Sequence, residues 1–387
     1  MIKKFRSFRL TFFNSKKLQK ALFLFLLIIS TSSSVIVYNS ILDFFEISKA
    51  RDIKTSTVPV ILVNYPTNYT FYGKIAANYS ISITGGPGNY TWYEFLETGE
   101  NSTAIELSGL LDEDVNSTFD QNLWDNLSNG SVTIRFYAND SSNAIGYTDA
   151  IIRLDLIAPD SPISLAATPS YWTNVNSFNL SWSNPFDPSG IAGAYYKVGD
   201  VPTADDDGTF IAGVDIESLL NITVSTDGIH DVYVWLVDTV GNVNYNNYTS
   251  IELNLDGIDP LKPSTLVAIP SSWTSVNSFN LSWSNPADTS SIVGAYYKLD
   301  DAPTADDDGT YVGGTDIESI SNITVSTEGM HDVYVWLVDA AGNVNYSAYE
   351  STQLYLDSYD PIKPSTLVAT PSSWSNVNSF NLSWSNP

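Results

Sequence analysis

The stretch Asp231-Val-Tyr-Val-Trp-Leu-Val-Asp-Thr-Val-Gly-Asn-Val243 returns as Asp332-Val-Tyr-Val-Trp-Leu-Val-Asp-Ala-Ala-Gly-Asn-Val344, 101 residues later. A run of aliphatic, β-branched and aromatic residues suits a long extended strand, and the Asp, Gly and Asn that follow are turn formers. The period of two along a strand separates Val232 and Val234 from Tyr233 and Trp235. The echo extends in both directions. Residues 162–262 and 263–363 agree at 69 positions, and the last 24 residues agree with the second copy at 21, with Trp172, Trp273 and Trp374 marking the period. A unit of this length is the size of a whole domain, so the chain reads as an array of autonomous modules. Such an array spans distance or presents surfaces and is not built around one catalytic cleft.

Within the first copy, short alternating runs are separated by Gly, Pro, Asn and Asp, the all-β pattern. Phe178-Asn-Leu-Ser-Trp182 alternates apolar and polar, which turns Phe178, Leu180 and Trp182 inward until Asn184-Pro185 breaks the strand. Ala194–Lys197, Asn221–Val224, Asp231–Val237, Val243–Tyr245 and Ile251–Leu255 are further strands, with Asp238–Asn242 as a tight hairpin turn. About seven short strands per hundred residues predicts a sandwich of two sheets. Residues 58–157 read as a divergent relative. When Asp140 is set on Asp238, Arg135, Tyr137 and Asn139 fall on Tyr233, Trp235 and Val237, whereas Ile134 and Phe136 fall on Val232 and Val234. Arginine and asparagine do not line a core, so the Tyr233/Trp235 face is expected to be the outer one.

The turns in Leu236–Val243 and Leu337–Val344 resemble the Asp-x-x-Gly-Asn turn of immunoglobulin-like and fibronectin type III-like repeats found in large archaeal and bacterial cell-surface proteins. The resemblance covers residues 58–387, although the first module has Asn143 and Ala144 in place of the Gly-Asn pair. It implies an all-β chain of tandem Ig-like or fibronectin III-like β-sandwiches. The expected divisions are 58–157 (divergent module), 162–260 (repeat 1), 263–361 (repeat 2) and 364–387 (the start of a third repeat). That last piece holds only the opening strand, with Phe380, Leu382 and Trp384 lacking the opposite sheet, which leads to the expectation of a longer array. Asp259-Pro-Leu-Lys-Pro263 and Asp360-Pro-Ile-Lys-Pro364 are proline-stiffened junctions, from which a semi-rigid rod is expected.

The N-terminus sets the expected compartment. Seven of the 17 Lys and Arg lie in residues 1–20, where there is no acid. Residues 21–38 then run without charge, as Ala21–Ile29, Ser30–Ser34 and Val35–Tyr38. This is either a transmembrane signal-anchor, with the basic flank cytoplasmic and the bulk of the chain outside, or a cleaved signal peptide. Residues 39–57 connect it to the first module. Beyond residue 20 the chain is strongly acidic within an overall net charge of −26, which excludes a nucleic-acid partner. There is no cysteine, so packing alone must hold each module, and thiol chemistry is excluded.

Candidate sites are few. The two histidines, His230 and His331, are equivalent residues with no nucleophile motif near them, and no phosphate loop or Gly-x-Ser-x-Gly elbow is present. No catalytic residue or resident cofactor is assigned. The acidic loop Ala204-Asp-Asp-Asp-Gly-Thr209, with Asp205–Asp207, and its copy with Asp306–Asp308 are either calcium loops or solvated turns. Fifteen Asn-x-Ser/Thr sequons occur, and Asn179, Asn221, Asn280, Asn322 and Asn381 are expected to point outward as glycosylation candidates. Tyr195, Tyr233 and Trp235, repeated as Tyr296, Tyr334 and Trp336, form an outer aromatic strip. It either stacks on sugars or partner proteins, or packs under a covering loop or neighbouring module. The resulting expectation is a non-enzymatic cell-surface stalk, adhesion or envelope protein, held to the membrane through residues 21–38, with other surface proteins or glycans as partners. The alternative is a carbohydrate-binding module array of a larger secreted enzyme.

Overall fold

The computed structural model describes residues 58–387 apart from 87, 110 and 111. The basic segment, the 21–38 span and the connector lie outside the described residues. Among the described residues no helix is long and apolar enough to cross a membrane.

Repeat 1 is a sandwich of two antiparallel sheets. One holds Ile163–Thr168, Phe178–Ser183 and Ser218–Ile222 in that spatial order; the other is ordered Thr209–Ala212, Ile191–Val198, Gly228–Asp238, Thr249–Leu255. Repeat 2 reproduces both, with sheets Ser264–Ile269, Phe279–Ser284, Ser319–Ile323 and Thr310–Gly313, Ile292–Leu299, Gly329–Asp339, Glu350–Leu356. Seven strands divided three and four, with the second strand's neighbour arriving from late in the chain, define a fibronectin III-like sandwich. One expected strand is absent, and two strands, Ile163–Thr168 and Thr209–Ala212, were not expected. Val243–Tyr245 makes only one isolated bridge, Val237 to Val243, because the chain loops outward through Asn244–Asn247 before pairing at Thr249. Thr209–Ala212 is an edge strand that its short, mixed sequence does not announce.

Alternation along the strands builds each core. Phe178, Leu180 and Trp182 from one sheet meet Val232, Val234 and Leu236 from the other, and all six are at most 5 % exposed. Phe279, Leu281 and Trp283 meet Val333, Val335 and Leu337 in repeat 2. The apolar run of the central strand therefore faces inward on the side expected. The first module, taken by itself, pairs Val60–Tyr65, Asn78–Thr84 and Glu113–Thr118 in one sheet, and Gly88–Phe95, Gly130–Asp140 and Ile145–Leu154 lie side by side in the other. Ile134, Phe136 and Ala138 are buried there, while Arg135 pairs with Asp149 at 2.6 Å on the opposite face. A single turn of helix, Gln121–Trp124, is capped by the Asp120 carboxylate and inserts Trp124 into that core. The last segment, expected to hold only the opening strand, forms a two-stranded ladder, Ser365–Thr370 with Asn381–Ser385, on which Phe380, Leu382 and Trp384 are each more than half exposed.

The turn that carries the family resemblance is made in the same way in all three modules. The Asp238 amide donates to Asn242 O, and Asp238 Oδ1 accepts from the Asn242 amide at 2.7 Å. Gly241 closes the turn in the left-handed region at φ 87°, and Gly342 does so at 88°. In the first module Asn143 takes that position at φ 63°, which asparagine tolerates, and Asp140 Oδ1 caps the Ala144 amide at 2.9 Å. The substituted pair therefore keeps the hairpin. Since Phe279 is fully buried between the sheets of repeat 2, Phe279→Ala should destabilise that repeat by about 3–5 kcal/mol, measured as a lowered denaturation midpoint with an unchanged slope for the remaining transition.

Candidate functional site

The aromatic strip lies on the outer face of its sheet, and its tryptophans are covered. Trp235 and Trp336 are fully buried and Tyr233 is 8 % exposed. Trp235 stacks on Tyr195 at 5.4 Å, and its Nε1 donates to Asp205 O at 3.0 Å; Trp336 does the same with Tyr296 and Asp306 O. Tyr233 and Tyr334 pack edge-on against Tyr248 and Tyr349. The acidic loop is thus a cover for the indole. Gly208 lets it cross, because a Cβ there would lie 2.5 Å from the Trp235 ring and 2.7 Å from Tyr196 O. Of the two readings left open for Tyr195, Tyr233, Trp235, Tyr296, Tyr334 and Trp336, the geometry at Trp235 and Trp336 is that of packing under a covering loop, while Tyr195, Tyr296 and Tyr334 are half-buried beside them.

The same loop uses its carboxylates internally. Asp207 Oδ2 accepts from Lys197 Nζ at 2.9 Å and from the Thr203 amide and hydroxyl at 2.8 Å each, and Asp205 Oδ1 accepts from the Tyr245 amide. Lys197 foremost, then Thr203, holds the Asp207 carboxyl down at about 2; Lys298 and Thr304 do so for Asp308. Among the described residues Asp205–Asp207 and Asp306–Asp308 are not among the acidic groups gathered within one ion's reach. Of the two readings left open for this loop, the geometry is that of a hydrogen-bonded turn.

The histidines are built into strand ends. His331 Nδ1 lies 2.7 Å from Asp300 Oδ1 and its Nε2 lies 2.9 Å from Thr327 O. Burial pulls the imidazole down, but Thr327 O and the Asp300 carboxylate outweigh it and hold it above the ordinary histidine range. His230 keeps the carbonyl contact, to Thr226 O, and has Gly199 where repeat 2 has Asp300. All five glycosylation candidates are exposed. Asn179 Oδ1 and Asn280 Oδ1 accept from the Asn221 and Asn322 amides at 3.0 Å, which leaves each Nδ2, the atom that would carry a glycan, outside the ladder.

Acidic groups do converge elsewhere, at places the sequence reading did not single out as sites. One carboxylate oxygen each from Asp256, Asp288 and Asp339 lie within 4.8 Å of one another, and so do those of Asp155, Asp187 and Asp238. Asp256 follows the last strand of repeat 1, Asp288 sits in the loop after the Phe279–Ser284 strand, and Asp339 opens the Asp-x-x-Gly-Asn turn. Asp256 is fully buried; its Oδ2 accepts from the Ser290 amide at 3.0 Å, and its main-chain oxygen accepts from Asn343 Nδ2 at 2.8 Å. Asn343 Nδ2 also reaches Asp339 Oδ2 at 2.8 Å, so the asparagine of the turn ties the turn to the linker. Asn242 repeats this with Asp155 O and Asp238 Oδ2. Burial pushes the Asp238 and Asp339 carboxyls above the usual range against the pull of the asparagines, and the neighbouring Asp187 and Asp288 add to the rise. Among the described residues none of the six is ion-paired with a lysine or arginine. The signal in the sequence was available: each of these acids recurs at the module period.

No family model matches the chain, and no curated protein sequence does. Solved structures align as strings of β-sandwiches. A Ca2+-stabilized adhesin that helps an Antarctic bacterium reach out and bind ice is 12 % identical with a TM-score of 0.39, over 81 % of this chain and 77 % of that one. The Clostridium thermocellum CbhA fibronectin(III)-like modules are 13 % identical at 0.27, over 51 % and 94 %. The chicken CNTN1 FN1-FN3 domains are 11 % identical at 0.27, over 77 % and 98 %. Likeness at this level carries nothing about function. The class rests on strand order: the chain is an array of fibronectin III-like, Ig-like β-sandwich repeats.

The lysine–aspartate pairs of the covering loops give a pH test. Asp207 and Asp308 have folded-state values near 2, below the ordinary 3.8. Their contribution is therefore complete above the ordinary value and is lost as pH falls through the folded one. Replacing both Lys197 and Lys298 by Met should move the midpoint of acid unfolding to higher pH, followed by circular dichroism, with little change near neutrality.

Proposed function

We propose that this chain is a non-enzymatic cell-surface protein whose tandem sandwiches serve as a stalk, adhesion or envelope element, with the bulk of the chain extracytoplasmic. The observation that carries the reading is the junction between near-identical modules. The residue that leaves one module is buried in the next and held there by a dedicated asparagine, so the repeat includes its own coupling. Lys262 in the linker adds a pair with Glu350 of repeat 2 at 2.6 Å. An assembly whose repeating feature is the joint is suited to transmitting position along the chain. The polar, sequon-bearing face of the three-stranded sheets is suited to an extracellular, glycan-coated surface. The uncharged 21–38 segment after a basic flank supports export, with attachment to the membrane either retained through that segment or lost on its cleavage.

The covered indoles weigh against the alternative of a carbohydrate-binding array. On a glycan array the full chain should show no saturable sugar binding that Trp235→Ala or Trp336→Ala abolishes, and Trp336→Ala should instead cost about 3–5 kcal/mol of stability. Saturable binding lost in folded tryptophan variants would establish the carbohydrate reading. Protease treatment of intact cells should remove the modules, and mass spectrometry of the released peptides should find glycans on Asn179, Asn221, Asn280, Asn322 or Asn381. Modules shielded until the cells are lysed would refute the surface assignment.

A further inference from the structure

We propose that each module junction binds a calcium ion: one held by Asp256, Asp288 and Asp339, and one by Asp155, Asp187 and Asp238. The donor set is the first argument. Calcium takes oxygen ligands at 2.3–2.6 Å. Two oxygens on one ion can therefore be up to about twice that apart, and each triad keeps its three oxygens within 4.8 Å. With no sulfur or imidazole in either set, a hard cation is selected over zinc or copper.

The second argument is an orphaned acceptor. Asp155 has no exposed surface, and its carboxylate belongs to the first triad. Oδ1 accepts a long bond from the Ile157 amide at 3.3 Å, but Oδ2 is buried and has no hydrogen-bond partner. An ionised oxygen removed from water and left unpaired is among the most costly arrangements in a protein interior. The Asp155 carboxylate sits with two further carboxylates and, among the described residues, no ion-paired lysine or arginine. A cation bound among the three carboxylates offers the orphan a partner and removes the mutual repulsion in one step. The equivalent Asp256 Oδ2 turns part of its capacity to the Ser290 amide, which leaves further lone-pair positions for an ion.

The third argument is topology. The three ligands come from the start of the incoming linker, from the loop after the second strand and from the turn opened by the family Asp. Each triad thus clips a linker to the module that follows it. Calcium tolerates irregular coordination, whereas magnesium demands a near-ideal octahedron and keeps its water. Ligands from three separate segments favour calcium. This site follows from the junction geometry and stands whether or not the array is a surface stalk.

The test is calorimetric titration of the chelator-treated full chain with calcium chloride, alongside magnesium chloride. Two calcium ions per chain should bind, with affinities between micromolar and millimolar, and the thermal midpoint should rise with calcium. Asp288→Asn, at a half-buried position, should reduce the stoichiometry to one, as should Asp339→Asn; Asp187→Asn with Asp288→Asn should abolish binding. Circular dichroism identifies any variant that fails to fold, and Asp206→Asn with Asp307→Asn in the covering loops should leave both sites intact. Absence of calcium binding at millimolar concentration, or two sites persisting in the folded Asp187/Asp288 double variant, would overturn the proposal. Equal binding of magnesium would overturn the calcium assignment.

Discussion

Everything at the module junctions depends on a carboxylate placed where water cannot reach it. Asp155 and Asp256 each end a module's closing segment with no exposed surface. Burial of an ionised group is tolerated only when fixed dipoles or opposite charge replace the lost hydration. The fold supplies part of that replacement. Asn242 and Asn343 hold the main chain at the buried residue, and Ser290 donates to the second carboxylate. The Asp-x-x-Gly-Asn turn therefore has two tasks. Its aspartate and glycine close a hairpin, and its asparagine reaches out of the module to fix the chain that enters it.

The module bodies answer a different constraint. Without disulfides, each sandwich must be stabilised by apolar packing, and the large rings are distributed accordingly. Phe178, Leu180 and Trp182 fill the space between sheets, whereas Trp235 is buried outside the four-stranded sheet beneath the loop that carries Asp205–Asp207. Each repeat consequently has a second, smaller apolar layer. In that layer the loop's lysine–aspartate pair and the crossing glycine keep the cover in place.

Much of the fold was legible because period-two alternation is a local property. The facing of Phe178 and Leu180, and the division between Val232/Val234 and Tyr233/Trp235, could be read from neighbouring residues and from the arginine in the divergent module. What neighbouring residues could not decide was whether that outer face is exposed or covered. Coverage of Trp235 is decided by a loop some thirty residues away, whose acidic composition reads as solvated. The edge strand Thr209–Ala212 was missed for a related reason, since its pairing with Ile191–Val198 is its main structural signal. The acid triads are a harder case: their members are far apart in the chain, and each has an ordinary local explanation as a turn or linker residue. Only their common periodicity links them.

The strand Phe178–Ser183 has the same six residues as Phe279–Ser284, and Phe380–Ser385 repeats them again. A segment that packs in one module therefore carries no information about which module it belongs to. Nothing in its side chains discriminates against the corresponding slot of a neighbour, so connectivity must make the choice through the higher effective concentration of the strand already tethered beside its partner. Strand exchange between adjacent repeats, or between two copies of the chain, is the competing outcome that such sameness leaves open.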